Sequence, residues 1–187
     1  MNLLLKKYYT IFVRQIFIII MVIIFIALTS CDKGIEPYPS ETEIDITSFE
    51  GKVTFTGAWP DSIARTYIVV FSEPSRFDVT TLQYIIGPVP YGVTEYNYNS
   101  IENNLGLIPK LNAGSYPYVI VAQSKTPELS LQRKDWTVAG IYFNEGNTTT
   151  PGILNIENGK VTKDININCD FNNPPVQPPA KNNFENE

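Results

Sequence analysis

The feature that most constrains this chain is a two-residue rhythm. Between Phe49 and Phe171 apolar and polar side chains alternate repeatedly, and no stretch carries the 3.6-residue spacing of a convincing amphipathic helix. Alternation sends successive side chains to opposite faces of a sheet, so the segment must bury strands. In Gly51–Gly57, Val53 and Phe55 share one face while Lys52, Thr54 and Thr56 share the other. Thr66–Ser72 (TYIVVFS) is almost continuously apolar, as a central strand should be. Further strands are predicted at Leu82–Ile86, Val93–Asn99, Tyr116–Ala122 and Trp136–Phe143. Asn158-Gly159 suits a type I′ turn, which predicts a hairpin of Ile153–Ile156 with Val161–Cys169. Seven or eight short strands in about 120 residues point to an all-β fold, a single antiparallel β-sandwich.

Both flanks differ in composition. Residues 31–48 are polar and acidic and carry Pro37 and Pro39, the make-up of a flexible tether. Residues 172–187 (NNPPVQPPAKNNFENE) place four prolines among polar side chains, and read as an extended, disordered tail. The folded domain is therefore expected over 49–171.

The amino terminus carries a different signal. Ile16–Leu28 is uncharged and apolar, roughly a dozen residues against the ~20 needed to span a bilayer. Lys6, Lys7 and Arg14 precede it with no acidic residue, as in a secretory leader over 1–30. It ends in Leu28-Thr29-Ser30-Cys31, which resembles the lipobox of bacterial lipoproteins. That resemblance implies cleavage between Ser30 and Cys31, a diacylglycerol on the Cys31 sulfur and an acylated new amino terminus. Several acyl chains, at ~0.8 kcal/mol per buried methylene, hold a protein on a bilayer far better than one. The expected location is the bacterial cell envelope, anchored to a membrane and facing the periplasm or the cell surface.

Loss of the leader leaves eleven basic against nineteen acidic residues, a net charge of −8. An acidic chain without a basic cluster argues against a nucleic-acid partner and against electrostatic docking on anionic lipid. With Cys31 lipidated, Cys169 has no intramolecular partner; its place among alternating Ile165 and Ile167 makes it a small core residue. Histidine is absent, which removes serine–histidine and cysteine–histidine nucleophiles and every imidazole metal site. One free thiol cannot build a cysteine-rich zinc site. No catalytic residue, metal or cofactor is therefore expected, although carboxylates leave a small hydrolase as an alternative.

Leu111-Asn112-Ala113-Gly114-Ser115-Tyr116, followed by the strand Tyr118–Ala122, resembles an element of transthyretin-like sandwiches. These include carboxypeptidase regulatory-like domains and the B-type repeats of collagen adhesins, and Gly51–Phe55 is similar to their first strand. The resemblance implies a non-catalytic module. In the adhesin repeats it would also imply a lysine–asparagine crosslink, here Lys52 with Asn166 or Asn168 and Glu95 as the acid. Alternation turns Lys52 and both asparagines away from the core, against such a bond. Tyr96 and Tyr98 share one strand face and are the candidate ligand-facing aromatics. The expected function is a membrane-anchored binding or scaffolding lipoprotein with an envelope protein partner. A carbohydrate-binding module of a surface uptake system is the alternative.

Overall fold

The computed structural model describes residues 9, 13–21, 46–73 and 77–178. The chain forms two units, 1–43 and 44–187. In the first, residues 13–21 are helical, and among the described residues no helix is long and apolar enough to cross a membrane. Ser30 and Cys31 lie outside the described residues.

In the second unit the alternating segments do form strands. They are β1 (Ser48–Thr56), β2 (Arg65–Phe71), β3 (Leu82–Ile86), β4 (Glu95–Asn99), β5 (Gly114–Tyr116), β6 (Tyr118–Ser124), β7 (Trp136–Tyr142), β8 (Leu154–Ile156), β9 (Val161–Thr162) and β10 (Ile167–Asp170). Their assembly overturns the expected transthyretin-like antiparallel sandwich. β1 pairs with β10 in parallel, Val53 opposite Ile167 and Phe55 opposite Cys169. That pairing makes one unbroken hydrogen-bonded path, β3-β2-β6-β7-β10-β1-β4, with β9 also parallel to β1. A sandwich requires this path to break into two sheets. Instead a single mixed sheet curls strongly on itself into a half-barrel.

The predicted carboxy-terminal hairpin is corrected too. β8 pairs with β5, Ser115 opposite Asn155, and not with the strand that follows it. Asn158 does not take the positive φ that a type I′ turn needs, although Gly159 does, at 70°. Within the turn Gly159 N–H donates to Thr47 Oγ1 at 2.9 Å, and beyond it the chain joins β1, Val161 opposite Ser48. Asp164, at φ 61°, then separates β9 from β10.

The concave face holds the main core. Phe49, Val53, Ile68, Val119, Val121 and Ile167 are all at most 2% exposed there. Tyr116, Leu154 and Ile156 join the same cluster, so the β5–β8 pair covers the open side of the curl. Two glycines permit the tight passage of backbone. A Cβ on Gly51 would stand 2.1 Å from the Ile165 carbonyl oxygen, and one on Gly140 would stand 2.5 Å from Cys169 Sγ. Cys169 is a fully buried core residue, as its place in the alternation implied.

β2 and β6 bury their other face as well. Tyr67, Val69, Tyr118, Ile120 and Val138 form a second apolar cluster on the convex side, covered in part by Phe77, Leu82 and Leu105. This two-sided burial explains why β2 reads as a continuous apolar run.

Candidate functional site

The loops over the convex side leave an apolar groove. Val69, Phe71, Ile85 and Trp136 make its floor, and Phe77 and Leu82 its walls. Four side chains on its rim stay in solvent: Val79, Leu107, Leu129 and Leu131, from 37% to 66% exposed. Apolar side chains gathered this way on a protein surface mark an interaction site more often than scattered ones do.

The groove is held by polar bonds among its lining residues and the loops that carry them. Asp78 caps the short 3-10 turn at Val79–Thr81, accepting from Thr80 N–H at 2.9 Å, which presents Val79 on the rim. Across the groove, Trp136 Nε1–H donates to the Ser130 carbonyl at 2.8 Å. Ser130 Oγ in turn donates to Asp135 and accepts from Gln132 N–H. That loop therefore has a fixed path, and Leu129 and Leu131 project from it.

Arg133 is the cationic lining residue, beside the carboxylate of Asp78 in the same lining. Its guanidinium sits 5.0 Å from the centre of the Phe77 ring, a cation–π contact. It also donates to the Trp136 carbonyl at 2.5 Å and to the Pro178 carbonyl at 2.7 Å. Burial draws its pKa down, with Tyr118 acting the other way, yet a guanidinium remains charged. Burial likewise pushes the Tyr118 hydroxyl up to about 12, moderated by Arg133.

A second depression is polar and larger, about 400 Å³, lined by Glu50, Asn97, Asn99, Glu102, Lys163 and Asp164, among others. Several of its groups bond one another: Lys163 lies 3.3 Å from Glu50, and Asn99 Nδ2 donates to Glu50 at 3.4 Å. Among the described residues no cluster of three or more acidic or cysteine side chains is placed to hold a metal. Tyr98 is its one aromatic lining residue and is 4% exposed, so it offers no face for a sugar to stack on.

Of the two candidate aromatics, Tyr98 takes a core position. The Tyr98 hydroxyl donates to the Ile165 carbonyl at 2.5 Å, and Phe49 meets its ring edge-on, centroids 6.0 Å apart. Tyr96 is half-buried against the same core. The lysine–asparagine group does assemble, but on the solvent side. Lys52 Nζ pairs with Glu95 at 3.1 Å, and Asn166 Oδ1 accepts from the Lys52 backbone N–H. At 43% exposure that lysine side chain lies in solvent, not in the buried setting such a crosslink requires.

The groove itself escaped sequence reading. Its rim comes from three separate loops, and its signal was the two-sided apolarity of TYIVVFS, which implies a covered second face. Compared with known proteins, the chain matches no family model, no curated protein and no solved structure.

Proposed function

We propose that this protein is a non-catalytic lipoprotein of the bacterial cell envelope, anchored through lipid on Cys31, whose half-barrel docks a protein partner. The observation that carries this reading is the apolar groove with its four exposed rim side chains. Its dimensions favour a protein over a small ligand. The cavity is about 80 Å³, below the ~300–1,000 Å³ of sites that enclose drug-sized molecules. It takes one or two aliphatic or aromatic side chains presented by a partner, while the rim covers the flanking residues. Such buried anchors dominate protein–protein affinity. The lipid and the acidic segment 31–48 would hold the groove near a membrane-bound partner. The buried state of Tyr98 weakens the glycan reading, which relied on an aromatic face.

The test is a pair of rim variants, Leu107→Asp and Leu131→Asp, in the lipidated protein. Both residues are more than half exposed, so thermal stability should stay within ~0.5 kcal/mol of wild type. Co-purification of the partner is expected to fall at least about tenfold, the loss of one anchor contact. A partner retained in full by both stable variants would overturn the reading.

A further inference from the structure

The segment after β10 does more than end the domain. β7 has a full partner in β6, Gln123 opposite Thr137 and Ser124 opposite Trp136. On its other side β10 reaches only Ile141 and Tyr142. The remaining half of β7 is an internal sheet edge whose peptide groups face away from β6. Such groups demand partners when covered.

Side chains supply them. Val138 N–H donates to Gln177 Oε1 at 2.8 Å, and Gln177 Nε2 donates to the Val138 carbonyl at 2.9 Å. The primary amide thus pairs with both peptide groups of one residue, as a neighbouring strand would. Two residues earlier along the same edge, the Trp136 carbonyl accepts from Arg133. Arg133 is in turn tied to the Pro178 carbonyl. One guanidinium therefore joins the carboxy-terminal segment, the edge of β7 and the Phe77 wall of the groove.

We propose that residues 174–178 are a strap whose docking on β7 positions Arg133 and Phe77, so that strap and groove are energetically coupled. Gln177 and Pro178 are positioning residues in this scheme: they act on a partner through Arg133. With the strap in place, Arg133 packs on Phe77 and the groove wall is ordered. With it released, Arg133 loses an acceptor and the edge of β7 opens. Reciprocity requires that filling the groove also tighten the strap.

This inference rests on the groove as a docking site, but its test does not use the partner. Hydrogen exchange at the Val138 amide and the side-chain resonances of Arg133 Nε–H and Trp136 Nε1–H are compared in the mature protein and in Gln177→Ala. Toluene serves as a small apolar probe of the groove. Expected are at least about tenfold faster exchange at Val138, shifted Arg133 and Trp136 signals, and at least threefold weaker toluene binding. Toluene should also slow Val138 exchange in the wild-type protein. Gln177→Glu keeps the acceptor for Val138 N–H but loses the donor, and is expected to fall between the two. Faster exchange with unchanged groove signals and unchanged toluene affinity would overturn the coupling. Unchanged exchange would overturn the strap itself. Neither result bears on whether a partner docks, which the rim variants decide separately.

Discussion

The backbone passes close to its neighbours at Gly140, where an added Cβ would meet Cys169 Sγ at 2.5 Å and both the Asn168 carbonyl oxygen and Ile167 Cγ2 at 2.9 Å. Gly140→Ala is expected to cost ~1–3 kcal/mol, the usual range for overpacking a core. In a Cys169→Ala background the cost should shrink, because the closest of the three obstacles is gone; urea denaturation of the four proteins gives the coupling. Cys169 also sets a pH dependence. Burial raises its thiol pKa well above the ordinary 9.0, and burial raises the Tyr98 and Tyr118 hydroxyls above 10.0. Above pH 9 the unfolded chain therefore releases protons that the folded protein keeps. Stability is fully present below that pH and falls as pH rises beyond it. The urea midpoint should drop between pH 8 and pH 10.5, and drop less in Cys169→Ala. An equal or rising midpoint would contradict the burial of these groups. At this scale the sequence was legible for Cys169, whose alternation with Ile165 and Ile167 placed it inward. It was misleading for Tyr98, because a shared strand face does not say whether that face meets solvent or core.

Strands were legible as elements, and their partners were not. Period two states which side chains share a face, but it carries no information about which strand lies alongside. The β1–β10 pairing joins Val53 to Ile167 across more than a hundred residues and is parallel, whereas the turn at Asn158-Gly159 suggested a local antiparallel hairpin. The Asn158 backbone and the Thr47 hydroxyl decided otherwise. The structure places Ile167 at the centre of that junction, 2% exposed, while Ile153 beside β8 is 47% exposed. Ile167→Ala is expected to cost ~2–5 kcal/mol, and Ile153→Ala within ~0.5 kcal/mol of zero. Comparable losses in thermal unfolding would contradict the single curled sheet. Segment 174–178 shows the same limit from the other side. Its prolines announce an extended chain, but nothing in the composition reveals that one glutamine would pair with Val138.

At the scale of the whole molecule, the half-barrel has two apolar faces to bury and a small two-stranded cover for only one of them. The concave side is closed by β5 and β8, and the convex side is closed incompletely by loops, which leaves the groove. The proposed lipid anchor belongs to this scale as well. Cys31→Ser should release the mature domain from the membrane fraction and abolish incorporation of a labelled fatty acid. Persistence of either would contradict anchoring at Cys31. The most direct measurement of the central claim places a photoreactive amino acid at position 131, on the rim, or at position 153, exposed but away from the groove, in the lipidated protein in its host cell. The account predicts that position 131 captures one defined envelope protein, that position 153 does not, and that Leu107→Asp removes the capture. Equal capture from both positions, or none from 131 in a correctly anchored and folded protein, would contradict it.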